Sequence, residues 1–457
     1  MKSNLNMQIK LQPALLSKML RLLGLGCCIA VTQVSWAEPS LDSVLPTLEA
    51  VKQTLAEHPN VRAAISDRDY ANFAGQGLKL GQHPWTVRAG MQLRKTNAQA
   101  DQVKSNSYEP SFGIEKQVRL PNKYHLDQDL AQRGVNIAEL KYEDAKHEVA
   151  KTLLGNWFTY MRSALQLTRL QEQLGQTQQY MNMTQQRIRA GDAPRLELML
   201  LNNEYNQIEE KYIQAKAAYY QAQQLLARDY RGNIPEQWSS DVIQVGAIQY
   251  TQAEWIQKIL AANHELELVR TQAEQQYALL KREQLNKIPD PTIGLGYSRE
   301  QSGIENLMGV TISVPLSGRH TRAASGMAAA EARKADYEVG RVENRLRQEA
   351  QYLSTQMESA QVRYDKAQQN LAHLQQQNNL MQKAYKFGEL SLNELLLHTQ
   401  QLIEARSRVD QAKVDYAESY GLLLLNSHQL WPLHDEHEHD GHQHATKYLH
   451  INQIGRV

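Results

Sequence analysis

Arg187-Ile188-Arg189-Ala190-Gly191-Asp192-Ala193-Pro194-Arg195-Leu196-Glu197-Leu198-Met199-Leu200 decides the fold, because the chain carries a second version of it. The partner stretch is Ala384-Tyr385-Lys386-Phe387-Gly388-Glu389-Leu390-Ser391-Leu392-Asn393-Glu394-Leu395-Leu396-Leu397. In each, a long polar helical run ends in a basic residue and a glycine, and a new helix starts a few residues later with Glu-Leu-hydrophobe-Leu. Such a pattern marks the tip of a helical hairpin. Glycine takes the left-handed position that ends a helix, and Asp192 or Ser391 is positioned to cap the return helix. The tips are 388 − 191 = 197 residues apart, a spacing that fits a duplicated half rather than a solenoid unit.

The same offset runs upstream of the tips. Small or apolar residues fall at Ala332, Ala335, Val339, Val342, Leu346, Ala350, Leu353, Met357, Ala360, Tyr364, Ala367, Leu371 and Leu374. Val135, Ala138, Tyr142, Ala145, Val149 and Leu153 sit 197 residues before the first six, and Trp157, Tyr160, Ala164, Leu167, Leu170 and Leu174 continue the seam. Spacing of 3-4-3-4 over that length predicts knobs-into-holes packing of long helices.

Between the helices the period changes to two. Trp85, Val87, Ala89, Met91 and Leu93 alternate with polar or small residues. In a second run, 108–120, Phe112, Ile114, Val118 and Leu120 face one way and Glu115, Gln117 and Arg119 the other, with Lys116 breaking the alternation. The second half repeats this in 291–299 (Ile293, Leu295, Tyr297) and in Met308, Val310, Ile312, Val314 and Leu316. These read as four half-buried strands in two hairpins, about 84–120 and 291–316. Helices are expected over 41–57 and 60–79 before the first hairpin, split at His58-Pro59, and over 263–286 before the second. The offset from His58 to His264 is 206 residues, so the nine extra residues fall in one long hairpin loop, Thr96 to Ser107, set against a short one, Glu300 to Asn306.

Composition bounds the rest. The chain has 457 residues, a formal net charge of +1, 4 Phe, 24 Gly and 13 Pro, which points to no polyanion or nucleic-acid partner. Mean hydropathy is -0.58, favouring long thin helices over a large globular core. Residues 1–37 read as an export signal: Lys10, Lys18 and Arg21, an apolar run from Leu22 to Val34, then Ser35-Trp36-Ala37 before a cleavage point. The run is short for an uncleaved membrane anchor. Cys27 and Cys28 both lie inside it, with lipid attachment at Cys27 as the second reading.

The first long helix, about 122–190, reaches ~100 Å at ~1.5 Å per residue. Each strand suits a tilted bilayer crossing, and no later apolar run is long enough for a membrane helix, so a span would have to be a closed barrel. Four strands do not close alone, two chains give a filled eight-stranded barrel, and three give twelve strands with a passage. The expectation is therefore a mainly α protein with a small β part, built of two tandem repeats (38–240 and 241–431). Helical hairpins span 122–230 and 320–430, and three copies form a homotrimer with a shared 12-stranded barrel on a long helical tube. Trp85, Val87, Met91, Leu93, Ile293, Leu295, Val310 and Ile312 are expected to face lipid, leaving Arg88, Arg94, Glu115, Gln117 and Arg119 to the lumen.

This combination resembles the TolC-like outer membrane efflux family over about residues 38–431. Gln117-Val118-Arg119-Leu120-Pro121-Asn122-Lys123 and Ile312-Ser313-Val314-Pro315-Leu316 resemble its CzcC-like heavy-metal branch. The resemblance implies an outer membrane exit duct of a Gram-negative bacterium with a periplasmic helical domain. It also implies a periplasmic adaptor protein, and an inner-membrane pump of the RND type as the energy source. It assigns adaptor docking to the tips, Ala190, Gly191 and Asp192 with Phe387, Gly388, Glu389 and Leu390. It places Glu394 in an acidic ring around the periplasmic aperture, while the next ring position holds Leu397 and not an acid. Glu197, the repeat mate of Glu394, is expected to be an ordinary solvated helix residue.

No enzyme motif competes and no cofactor is expected. Gly294-Leu295-Gly296 lacks the third glycine of a dinucleotide loop, His264-Glu265 lacks the second histidine of a zinc-protease helix, and no Gly-Lys-Ser/Thr loop occurs. After Trp431-Pro432, residues 432–457 form a tail in which His434, His437, His439, His442 and His444 are interleaved with four carboxylates. Imidazole and carboxylate suit divalent zinc, cobalt, nickel or copper. These features favour a passive duct for divalent metal ions. A drug or protein duct of the same fold, or a secreted coiled-coil scaffold, is the alternative.

Overall fold

The structure is a computed structural model that describes residues 41, 43–81, 83–97, 105–316 and 318–433. The export-signal segment with Cys27 and Cys28, most of the first hairpin loop, and the tail histidines His434 to His444 lie outside the described residues.

Two helices open the described chain, α1 (Leu48–Glu57) and α2 (Pro59–Leu80). Proline at the first position of α2 lacks the N–H that a helix start leaves unpaired, and the His58 ring accepts from the Asn60 N–H instead. The expected helix over 41–57 is shorter than its apolar spacing suggested. Residues 43–45 form a turn and Pro46 disfavours helix in the residue before it. That turn is nonetheless core: the Val44 carbonyl accepts a 2.8 Å hydrogen bond from the Trp157 indole.

The first hairpin is β1 (Thr86–Thr96) and β2 (Ser105–Gln117). Then come the long α3 (Pro121–Ala190) and its return helix α4 (Arg195–Asp229). A linker with one 3-10 turn at Ser240–Val242 leads to α5 (Gln252–Ala262), and the order repeats: α6 (His264–Leu285), β3 (Thr292–Glu300), β4 (Glu305–Ser313), α7 (Arg319–Lys386) and α8 (Leu392–Asn426). The four strands make one antiparallel sheet in the order β1-β2-β3-β4.

Helix α3 runs for 70 residues and α7 for 68, and each takes two successive neighbours. Near the sheet α2 packs on α3 and α6 on α7; toward the tips α4 and α8 take those places. Helix α3 also packs against α6 and α8, joining the two halves. The repeated seam is buried in its upper part, at Ala138, Val149, Leu153, Trp157, Tyr160 and Ala164, and at Val342, Leu346, Ala350, Leu353, Met357 and Ala360. Farther on, Leu167, Leu170 and Leu174 and their counterparts Tyr364, Ala367, Leu371 and Leu374 are only half-buried, before burial resumes near the tips at Thr177, Thr184 and Tyr385.

The largest core lies where the linker wraps the helices. Trp157 meets Tyr230 and Trp238 edge-on at 5.4 and 5.5 Å, and Tyr160 donates to the Pro235 carbonyl at 2.8 Å. Below it, Arg169 holds Asp410 of α8 at 2.6 Å, and the Ser240 hydroxyl donates to the same carboxylate at 2.5 Å. The carboxylate partner is the main cause that pushes the Arg169 guanidinium above its ordinary range.

At the β3–β4 turn, Gln301, Ser302 and Gly303 are consecutive left-handed residues, with φ of 49°, 60° and 98°. For the two non-glycine residues this conformation costs roughly 1–2 kcal/mol each, so neighbouring contacts must hold it.

Candidate functional site

Two regions carry residues singled out by the sequence: the hairpin tips and the sheet. At the first tip Gly191 is left-handed at φ 82°, its N–H reaches the Ile188 carbonyl at 3.1 Å, and the Asp192 N–H reaches that of Arg187 at 2.8 Å. The second tip has the same pair of bonds, Gly388 to Tyr385 at 3.1 Å and Glu389 to Ala384 at 2.9 Å, with Gly388 at φ 77°. Both are Schellman endings, which occupy carbonyls that the helix end would leave open. The return helices differ. Ser391 caps α8 in a full capping box with Glu394, whereas α4 starts after Pro194 with no side-chain cap, so Asp192 does not cap it. Proline at that position fixes an extended backbone without help from a side chain.

Ala190, Gly191, Asp192, Phe387, Gly388 and Glu389 are exposed and Leu390 is half-buried, so the tips present both charge and an apolar ring. The tips are also fastened to each other, which the sequence pattern did not indicate. Tyr385, 1% exposed, places its hydroxyl 3.2 Å from Thr184 and 3.3 Å from Glu197, and Arg187 lies over its ring at 4.8 Å. Leu201, Leu392 and Leu395 complete a small core around it. Glu197 is therefore tied into the tip core, with Arg187 at 3.5 Å, and is not the freely solvated residue expected.

Glu394 is exposed. Its carboxylate accepts the Ser391 hydroxyl at 2.7 Å and the Ser391 N–H at 3.0 Å, and these bonds hold its pKa below the usual carboxylate value. Leu397 is 58% exposed one turn on.

In the sheet, register separates two faces. Val87, Ile114, Leu295 and Val310 stand in one cross-strand row, and Ala89, Phe112, Tyr297 and Met308 in the next. All of the large residues in those rows except Tyr297 are exposed, from Ile114 at 40% to Met308 at 86%. Lys116 falls on this apolar face at its helix-proximal edge, where its ammonium lies 5.0 Å over the Trp85 ring. Interruption of the alternation there is a long side chain running along an aromatic, which lets its charge reach the edge.

The opposite face is polar. Arg88 pairs with Glu115 at 2.7 Å, and Arg94 bridges Glu109 at 2.8 Å and Glu300. Gln117 donates to the Asp290 carbonyl at 3.2 Å. Arg119 corrects the expectation of a fifth lumenal side chain. The strand ends at Gln117, and the guanidinium turns back to the Leu78 and Lys79 carbonyls at the end of α2, each at 2.7 Å, and to Asp127 at 2.8 Å. It closes a helix end and fastens hairpin to helices.

No helix among the described residues is long and apolar enough to cross a membrane, and no grouping of metal-ligating side chains occurs among them. No protein-family model and no curated protein matches the chain. Solved structures do. The CmeC outer membrane channel of Campylobacter jejuni superposes with a TM-score of 0.68 at 15% identity, covering 85% of this chain and 86% of that one. The chain has the fold of the outer membrane channel proteins. The outer-membrane channel OprN matches with a TM-score of 0.68 at 15% identity over 86% of this chain and 94% of its own. CusC, whose structures concern folding and transmembrane channel formation, matches with 0.67 at 14% over 85% and 95%.

Proposed function

We propose that the chain is a passive outer membrane exit duct of a tripartite efflux system, with its helical domain in the periplasm. The observation that carries this reading is the sheet: four strands, open at both edges, with large apolar side chains exposed on one face and ion pairs on the other. An open sheet with an exposed apolar face is unstable in water but fits a bilayer once closed, and closure requires other copies. Three copies give twelve strands and a lumen lined by Arg88, Arg94, Glu115 and Gln117. The half-buried stretch of the seam, Leu167 to Leu174 and Tyr364 to Leu374, supports the same homotrimer, since its 3-4 spacing continues where one protomer covers it only in part. The tips would dock a periplasmic adaptor protein, and an inner-membrane pump of the RND type would supply energy.

Within that reading the cargo is divalent heavy-metal cations. Its support is the five tail histidines interleaved with carboxylates, the resemblance of residues 117–123 and 312–316 to the heavy-metal branch, and Glu394 as a carboxylate exposed at the start of the return helix. Residues 1–37 act as the export signal. The test has two arms. Detergent extraction of outer membranes should yield a trimer; a soluble, monomeric product would remove the duct. A deletion strain challenged with a panel of divalent metals and of drugs should lose metal tolerance, and loss of drug tolerance alone would reassign the cargo.

A further inference from the structure

On the polar face of the sheet Gln92, Ser111 and Thr311 lie open and Arg94, Glu115, Gln117 and Ser298 are half-buried, but Ser107 is 6% exposed and Glu109 4%. Their cover comes from the β3–β4 turn. The Gln301 N–H donates to the Glu109 carboxylate at 3.1 Å, and the Ser302 N–H to the Ser107 hydroxyl at 2.7 Å. Strand β2 pairs with β3 only from Ser111 to Gln117, so beyond Ser111 the ladder between them stops. Two side chains of the polar face take the place of the missing backbone partners, which draws the turn out of the sheet toward that face. Arg94 fixes Glu109 from β1 and also holds Glu300 at the base of the turn. The three left-handed residues are those the turn needs to reach this position.

Helices leave the sheet from the other ends of its strands, so this turn sits at the end farthest from them. We propose that it is a latched flap at the outer mouth of the duct, narrowing the passage on its lumenal side, with Glu109 and Ser107 as the latch and Arg94 as the positioning residue. The inference rests on the duct reading above. In a trimer three flaps would converge on one opening, and release of the latch would admit larger solutes without any change at the tips.

The test uses the full chain in intact cells, with Thr311→Cys as a reporter on the polar face and Met308→Cys on the apolar face. A small membrane-impermeant thiosulfonate should modify Thr311→Cys from outside, while a bulky polyethylene-glycol maleimide should modify it only slowly. Adding Glu109→Ala should speed the bulky reagent by roughly ten-fold or more, the population shift expected on losing one hydrogen bond to a charged group, and Ser107→Ala by roughly two- to ten-fold, the shift for a neutral one. Glu109→Gln, which keeps an acceptor for the Gln301 N–H, should fall between. If the small reagent fails on Thr311→Cys or prefers Met308→Cys, the duct reading itself is wrong and the flap falls with it. If the small reagent labels Thr311→Cys and the bulky one is as fast with the latch intact as without it, the duct stands and the flap is refuted.

Discussion

Replacing Val87 by arginine tests the sheet as a membrane wall. Val87 is 73% exposed and stands in register with Ile114, Leu295 and Val310, so the row crosses the whole sheet without a polar side chain. Its neighbour Thr86 points to the other face and pairs with Glu115, a carboxylate that would welcome a guanidinium. An arginine on the lipid face costs roughly 2–4 kcal/mol at midplane and about 0–1 near the interfaces. Val87, one same-face position from the edge row of Lys116, falls between at about 1–2 kcal/mol, or ~5- to ~30-fold in the ratio of inserted to uninserted protein. Three copies multiply the penalty, to roughly 3–6 kcal/mol per trimer by the same scale. The assay is the fraction of outer membrane protein that migrates as a detergent-resistant trimer. Val87→Arg should nearly abolish it, whereas Thr86→Arg and Val87→Leu should retain it. Equal loss from Val87→Arg and Thr86→Arg would refute the assignment of faces, and equal retention would refute the wall.

Three other outcomes are expected. Gly388→Ala and Gly191→Ala meet no atom within 4 Å, so their cost is the left-handed backbone alone, roughly 1–2 kcal/mol, seen as a lower thermal midpoint; Asp192→Trp and Glu389→Trp leave the turn intact but should abolish adaptor crosslinking, and retained crosslinking would sink the docking role. Glu394→Gln should reduce cation selectivity and divalent block of the reconstituted trimer, while Glu197→Gln, whose carboxylate binds Tyr385 and Arg187, should loosen the tip without changing selectivity; unchanged currents in Glu394→Gln would remove the aperture ring. Burial, with Glu148 and Glu265 nearby, raises the Asp144 pKa to about 6, so the native state holds a proton that the unfolded state releases near pH 4. Stability from this group is then full below about pH 4 and declines as pH rises through about 6; Asp144→Asn should flatten that decline in thermal midpoints, and an unaltered slope would acquit Asp144.

Long helices, hairpin tips and strand faces were legible because each rests on a period or a glycine that local chemistry enforces. Residues 3.5 apart over dozens of positions have one economical packing, and residues two apart in a strand share a face whatever the partner. What stayed hidden is long-range and polar. Arg119 looked like one more alternating strand residue until α2 supplied two carbonyls for it to close. Glu197 matched Glu394 by repeat position, yet Tyr385 from the other hairpin claims it. The turn at 43–45 reads as the start of a helix because Leu41, Val44, Leu45 and Leu48 have helical spacing, and only the Trp157 indole shows why it is core without being helix. The tail histidines suit a divalent metal by ligand type, and they fall outside the described residues.

The matched arms of the two helical hairpins restrict how this protein can change its length. Each hairpin pairs a long helix with a 35-residue return helix, α3 with α4 and α7 with α8, and both arms keep one side-chain phase along the seam. An insertion in one arm alone rotates every later residue out of that phase. The permitted change is a whole heptad, about 10 Å of rise at ~1.5 Å per residue, made opposite itself in both arms of both hairpins so that the tips stay level. If the chain is the exit duct proposed above, its reach across the periplasm is thus graduated like a ruler with coarse marks, and a lineage adjusting to a wider or narrower envelope would move by steps of one heptad rather than by single residues.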